Sequence, residues 1–378
     1  MPELADIFRR YGHMYLDHFG DAVLPSHKRA IGDIVDCRTE ALGGHLVQCD
    51  HCSILDYAYH SCKNRSCPKC HGKDTQRWLE KRRFELLPVI YFHVVFTLPR
   101  ELRRLVRKHQ KVLYSVLMKA AAEALMKLAA DPKYIGGKIG MLSVLHTWTS
   151  ANIFHPHAHY LVPGGGVSPD GRFWVPSNKK FFVPVKALSP IFRAKFMEMA
   201  QDALPCVKLP KEVWEKDWVV YCKPTVQGAD KVLQYLGRYV HRIAITNNRI
   251  LKVEDGEVTF RYKKTRKHKK RYVSYWDTMT LPVMEFMRRF LQHVLPRGFH
   301  KVRYYGLLSP ANRPLLRRVQ LSLAGDDRTK TDEKPVEEDN PAPCDSTRRC
   351  RQCGKGFMFV VATLPRHFLP VKPGRSPP

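Results

Sequence analysis

Hydrophobic and polar positions divide the chain into segments of different period. Residues 89–99, VIYFHVVFTLP, are dense in β-branched and aromatic side chains and predict a buried strand. Pro99 sits at a helix start, and RELRRLVRKHQKVLYSVLMKAAAEALMKLAA continues as one long basic amphipathic helix. Gly136, Gly137 and Gly140 punctuate the turn into a second strand, MLSVLHTWTS. In HPHAHYLVPGGG, residues 155–166, the period is two, so His155, His157 and His159 share one face of a third strand. A strand with a polar, ligand-capable face is either wetted or holding something. Strand, helix, strand, strand is the opening of an α+β fold with an antiparallel sheet and helices packed on it.

Later segments add a helix, a hairpin and a tail. ADKVLQYLGRYVHRIAI, residues 229–245, has helical character around Tyr235 and Tyr239. Four residues turn a helix by about 400° and raise it about 6 Å, so the two phenols face the same way, and Arg238 and Arg242 form a second pair at the same interval. Gly237 inside this helix costs about 1 kcal/mol against alanine, which suggests close approach of a backbone or a nucleotide there. Asp255-Gly256 is a hairpin signal. TLPVMEFMRRFLQHVLPRGF reads as an amphipathic helix ended by Pro296 and Gly298. After residue 324 the composition turns acidic and poor in apolar residues, as in GDDRTKTDEKPVEEDNPAP. These shifts divide the chain into a helix and cysteine-rich module (1–85), a sheet domain with the tyrosine helix (86–250), a basic hairpin and helical extension (251–323), and an acidic linker with a cysteine-containing tail (324–378).

Charge changes the picture from a fold to a partner. Lys and Arg number 64 against 35 Asp and Glu, a net charge of +29 in a chain that is 44% hydrophobic, so the excess belongs to a folded surface that meets a polyanion. Eight Lys or Arg crowd between Arg261 and Arg271: besides those two, Lys263, Lys264, Arg266, Lys267, Lys269 and Lys270, with Tyr262, Tyr272, Tyr275 and Trp276 around them. Basic side chains track phosphates while aromatics stack on unpaired bases. A membrane is the rival polyanion, but no stretch of eighteen apolar residues and no signal sequence is evident, and the chain reads as cytoplasmic.

In a reducing compartment eleven cysteines point to metal rather than disulfides. Cys49-x-x-Cys52 and Cys67-x-x-Cys70, fourteen residues apart, have the spacing of two knuckles closing on one tetrahedral zinc. Cys37 and Cys62 remain over as candidates for a second zinc, with His45, His51, His60 and His71 nearby. A four-thiolate site has no open position for a reacting water. With Lys63, Arg65, Lys69 and Lys73 around it, the module fits contact with phosphate better than catalysis. Cys350 and Cys353 form one more knuckle, which only Cys344 and His367 stand near enough in sequence to complete, so the tail is expected to be poorly ordered or weakly metallated.

FTLP at 96–99, His157-Ala158-His159 and YLGRYVHR at 235–242 resemble, in this order, the three motifs of rolling-circle initiators and relaxases. With the cysteine module and VPGGGVSPDG, residues 30–310 resemble a transposase of the IS-ninety-one type, the two-tyrosine rolling-circle insertion-sequence group, on the His-hydrophobic-His nuclease fold. The resemblance implies that His157 and His159 bind Mg2+ or Mn2+, which polarises a scissile phosphate of single-stranded DNA at the ends of a mobile element. Imidazole softness by itself would favour zinc, copper or iron. It implies further that Tyr235 and Tyr239 are nucleophiles that become joined to the 5′ phosphate, and that the chain works in a bacterial nucleoid. A third metal ligand is expected; His93, His146 and His241 are the candidates. The resemblance extends to His157, so His155 is read as a solvent-facing or DNA-facing side chain. Two other readings compete: a zinc-dependent nucleic-acid-binding protein without catalysis, which leaves the histidines and tyrosines unexplained, and a histidine-metal hydrolase, which leaves the basic aromatic surface unexplained.

Overall fold

The computed structural model describes residues 2–70, 72–225, 231–232, 237, 243–268, 271–325 and 348–367. Its elements begin with α1 (Leu4–Phe19), α2 (Pro25–Asp36), β1 (Gly44–Cys49), β2 (Leu55–Tyr59), α3 (Gly72–Arg83), β3 (Tyr91–Thr97), α4 (Arg103–Lys108) and α5 (Gln110–Ala129). There follow β4 (Gly140–Trp148), β5 (Phe154–Pro163), β6 (Gly165–Val167), β7 (Trp174–Pro176), α6 (Val185–Ala203) and β8 (Val220–Pro224). The last are β9 (Ile250–Glu254), β10 (Glu257–His268), β11 (Arg271–Pro282), α7 (Val283–Leu291), β12 (Val302–Gly306), α8 (Arg313–Gly325), β13 (Arg348–Arg349) and β14 (Phe357–Leu364).

The fold is α+β. Its centre is a five-stranded sheet in the order β12-β4-β5-β3-β8, antiparallel throughout. Alternation along β3 and β5 sends Phe92, Val94, Phe96, Ala158, Tyr160 and Val162 to one face, where they are fully buried in a core with α5 and α6. Ala120, Ala121, Ala122 and Ala124 are fully buried, so α5 packs through small side chains. The buried Tyr160 hydroxyl donates to the Met118 carbonyl at 2.6 Å, which satisfies it within the apolar layer. The opposite face carries the histidines.

The long basic helix expected over residues 100–130 is broken: His109, at φ −118° and ψ 46°, separates α4 from α5. Neither proline nor glycine marks that break in sequence. The helix expected after Pro282 forms over Val283–Leu291 and buries Val283, Phe286, Met287, Phe290 and Leu291, the spacing of one helical face. These residues share a core with Val258 and Phe260 of β10 and with Leu4, Ile7 and Phe8 of α1, so the extension is packed against the first helix. Phe8 and Phe290 meet edge to face at 5.6 Å.

The tail differs most from expectation. β14 pairs antiparallel with β1 over Gly44–Cys49, making a second sheet in the order β13-β14-β1-β2. The expectation of a poorly ordered tail is therefore wrong for residues 348–367. Composition ended the ordered region at the acidic linker, but the strand beyond it, FMFVVATL, is β-branched and aromatic and finds its partner about three hundred residues back in the chain.

Candidate metal centres and nucleic-acid interface

Register brings the histidines together. His146 of β4 stands opposite His157 of β5, and Val144 opposite His159, so all lie on the face away from α5 and α6. The ring nitrogens of His146, His157 and His159 offer ligand atoms within 4.8 Å of one another. Of the three candidates for a further ligand, the structure thus brings His146 to the pair. His146 is buried and stacks on Trp148, with ring centroids 4.9 Å apart.

Hydrogen bonds set the tautomers of two rings. His157 Nδ1 lies 2.6 Å from the backbone oxygen of His155, so Nδ1–H donates and Nε2 remains as the ligand atom. His159 Nδ1 lies 2.8 Å from His93 Nε2. For His159 to ligate through Nε2, its Nδ1–H must donate and His93 must accept, which requires neutral His93. Burial lowers His93 to about 4, so it is neutral over the physiological range. His93 is therefore placed behind the ligand rather than in the cluster. Three neutral nitrogen donors would leave a divalent ion its full charge for phosphate oxygens.

His155 is removed from that set. Its Nδ1 lies 2.7 Å from Arg103 Nη2, and burial, with the Arg103 charge second, lowers it to about 4. Tyr221 and Lys223 of β8 are paired with Val95 and His93 and so share the histidine face. Tyr221 is exposed, 6.1 Å from the His93 ring and beneath Lys223 Nζ at 5.4 Å. Sequence reasoning missed Arg103 and Tyr221; the only available signal was the alternation in VYCKP.

Tyr235, Arg238, Tyr239, His241 and Arg242 lie outside the described residues. Two described positions in their segment show where the chain passes. Val232 is fully buried against Tyr91, Leu142, Val144 and Leu161, all on the histidine face. A Cβ on Gly237 would stand 3.0 Å from Leu79 Cδ1 of α3. A side chain at this position would crowd Leu79, so packing against α3 is one physical reason for the glycine.

The thiols sort differently from their spacing. Cys37, Cys62, Cys67 and Cys70 form one cluster, and Cys49, Cys52, Cys350 and Cys353 another, each with ligand atoms within 4.8 Å. The expected pairing of Cys49 and Cys52 with Cys67 and Cys70 is corrected: β1 and β2 carry the first knuckle away from the second, and β14 brings a third to it. In the first cluster Cys37 Sγ and Cys62 Sγ lie 3.4 and 3.5 Å from Cys70 Sγ. Hydrogen bonds from Cys37, Cys62 and Cys67 hold Cys70 far below an ordinary thiol, and one from Cys62 leads in lowering Cys37 to about 7. The same network raises Cys62 and Cys67, with the hydrogen bond to Cys37 leading in each, so the four thiols share protons that a bound zinc ion would displace.

The basic run forms β10 and β11, which pair from Glu257–Pro282 to His268–Arg271. Lys263, Lys264 and Arg266 are exposed. Lys269 and Lys270 lie outside the described residues, and for Lys267 and Arg271 only the backbone is described. The half-exposed Trp276 carries Arg261 and Lys263 over its ring at 5.7 and 5.3 Å. Lys264 is paired with Asp277 at 3.3 Å, which takes it partly out of the free positive charge. No described helix is long and apolar enough to cross a membrane.

Comparison with known proteins gives two family matches: a transposase zinc-binding domain over residues 7–98 and a putative transposase over residues 140–314. A putative transposase of Sinorhizobium fredii is 39% identical over 385 residues, covering 95% of both chains. The transposase for insertion sequence element IS801 of Pseudomonas savastanoi pv. phaseolicola is 27% identical over 301 residues, covering 73% of this chain and 68% of its own. A solved bacterial tRNA(His) guanylyltransferase-like protein in complex with ATP aligns over 59% of this chain and 98% of its own, at 14% identity and a TM-score of 0.20, too low to carry an argument.

Proposed function

The chain belongs to the IS91-type transposases with an amino-terminal zinc-binding domain, and from that premise we propose that it cleaves and rejoins single-stranded DNA at its element's ends through covalent tyrosine intermediates. Tyr235 and Tyr239 are the nucleophiles in this reading, and His157 and His159, with His146, hold a Mg2+ or Mn2+ ion. The observation that carries it is the histidine cluster on a sheet face over which Val232, three residues before Tyr235, is packed.

The chemistry follows from ordinary reactivities. A phenol ionises near pH 10 and is a poor nucleophile at neutral pH until a neighbouring cation draws off its proton. Bound by the three imidazoles, a divalent ion would withdraw charge from the non-bridging phosphate oxygens. The tyrosine oxygen forms a bond to phosphorus, the bond to the 3′ oxygen breaks, and the leaving strand ends in a 3′ hydroxyl. The phosphotyrosine keeps the energy of the phosphodiester, so a second 3′ hydroxyl can reverse the step without ATP. Two tyrosines four residues apart in sequence would allow one to hold an end while the other attacks. The basic aromatic hairpin and the Arg238 and Arg242 pair supply phosphate affinity and base stacking.

The test incubates the full protein with labelled single-stranded DNA carrying an element end and Mn2+, followed by a denaturing gel and peptide mapping of the adduct. Each Tyr→Phe change should remove one linkage and the double change both. His157→Ala with His159→Ala should abolish cleavage and leave binding largely intact. An adduct on another residue sinks the tyrosine assignment, and a wild-type protein that binds without forming one favours the binding-only reading.

A further inference from the structure

Cys350 and Cys353 lie outside the matched zinc-binding domain, which ends at residue 98. They nevertheless close on Cys49 and Cys52. Cys49 Sγ and Cys353 Sγ are 3.8 Å apart, and Cys52 Sγ and Cys350 Sγ 3.7 Å. Four sulfurs at about 2.3 Å around a tetrahedral ion stand about 3.8 Å from one another. Two of the six edges of the cluster match that figure, and all lie within 4.8 Å.

The two turns are built alike. After the second cysteine of each knuckle comes a residue in the left-handed region, Ser53 at φ 56° and Gly354 at φ 66°. Each donates its backbone N–H to the carbonyl of the first cysteine, Ser53 to Cys49 at 3.1 Å and Gly354 to Cys350 at 3.0 Å. Backbone N–H groups also point at the sulfurs: His51 and Cys52 at Cys49 Sγ (3.4 and 3.5 Å), and Gly356 at Cys353 Sγ (3.4 Å). Amides aimed at sulfur favour thiolate over thiol, as a metal ligand needs. The turns are also docked to each other, since Phe357 N–H donates to Asp50 Oδ1 at 2.7 Å and Asp50 N–H to the Phe357 carbonyl at 3.0 Å. A Cβ on Gly356 would lie 2.5 Å from Cys49 Sγ, so only glycine permits this approach.

We propose that Cys49, Cys52, Cys350 and Cys353 form a second structural zinc site, shared between the zinc-binding domain and the segment after the acidic linker. All four ligands are protein thiolates, so the site is closed and holds β14 on β1 rather than performing chemistry. Cys49 and Cys350 are buried, with 1% and 2% exposure, while Cys52 is exposed, so the site is anchored in the module and still open to a chelator from one side. This inference is independent of how the tyrosines act.

The full-length protein, purified without chelator, is assayed for metals by mass spectrometry. Two zinc ions per chain are expected, falling to one in Cys350→Ser with Cys353→Ser and to one in the converse variant Cys37→Ser with Cys62→Ser. A second measurement covers variants that fail to fold. In the otherwise native chain, a specific protease site is placed between residues 326 and 347. After cleavage, the fragment carrying residues 348–367 should co-elute with the remainder in zinc and leave it on chelation. One zinc in the wild type, two in the Cys350 and Cys353 variant, iron in place of the second zinc, or a fragment that departs with zinc in place would each overturn the proposal.

Discussion

Removing the His93 side chain tests the histidine centre without touching a ligand. His93 Nε2 lies 2.8 Å from His159 Nδ1, with ring centroids 5.0 Å apart and planes 7° from parallel, so the two rings meet edge to edge through their nitrogens. His93→Ala deletes the acceptor that fixes the tautomer and the plane of His159. A neutral hydrogen bond contributes about 1 kcal/mol net, about fivefold in affinity. Loss of the ring's orientation adds to this, and outer partners of metal-bound histidines are generally worth about 10 to 100-fold in metal affinity. The cleavage rate is measured against Mn2+ concentration on a single-stranded element end. The half-saturating Mn2+ should rise at least about tenfold, with the rate at saturation within about twofold of wild type. His93→Gln, whose Oε1 can accept from His159, should recover most of the shift. Because burial holds His93 near 4, the acceptor is intact above that pH and lost as the pH falls through it. A saturating rate that collapses with the half-saturating Mn2+ unchanged would refute the positioning role, and a wild-type-like titration of His93→Ala would refute the bond's importance.

Three other outcomes are expected. Trp276→Ala should weaken single-stranded DNA binding by about 1–3 kcal/mol with an unchanged salt slope, whereas Lys263→Gln should lower that slope; filter binding across a salt series separates them, and equal effects would contradict the stacking role. Phe96→Ala, at a fully buried position with Phe192 4.8 Å and Tyr160 5.5 Å from its ring, should cost about 4 kcal/mol and lower the thermal midpoint by roughly 10 °C; an unchanged midpoint in scanning calorimetry would show that the sheet core has been misjudged. Burial lowers His293 to about 4, so its contribution is complete above its ordinary value of 6.5 and lost as the pH falls toward 4. That loss amounts to about 3 kcal/mol, and His293→Gln should flatten the fall of denaturation midpoints below pH 6.5; a parallel pH profile would exclude this source.

The sheet and its histidine face were legible because a strand's period is local. His157 and His159 share a face by alternation alone, and the order of hydrophobic segments around them is enough to suggest an antiparallel sheet. His146 was only one of three candidates, because its selection depends on the register of β4 against β5. The cysteines show the same limit more sharply. Spacing joins knuckles that are near in sequence, but the chain joins Cys49 and Cys52 to residues about three hundred positions later, and only β14 decides that. Arg38, Ser53 and Lys63 each follow a cysteine and take a positive φ, but none is glycine, so these turns left no mark in the sequence. His109 likewise breaks a helix with no local breaker, and Asp277 offsets Lys264 from across a hairpin.

Pairing β1 with β14 imposes an order of events during synthesis. β1 is complete at residue 49, while its neighbour is complete only at residue 364. At about 5–20 residues per second, roughly 15–60 s separate the two. Throughout that interval β1 has an open edge and its knuckle has half its thiolates. The histidines and the tyrosine pair are already translated by residue 242, well before the module closes. A chain halted before Cys350 would therefore carry every residue proposed to act on DNA together with an unpaired strand edge, the feature that invites aggregation. Closure of the amino-terminal module thus waits on β14, after every residue proposed to act on DNA has been made.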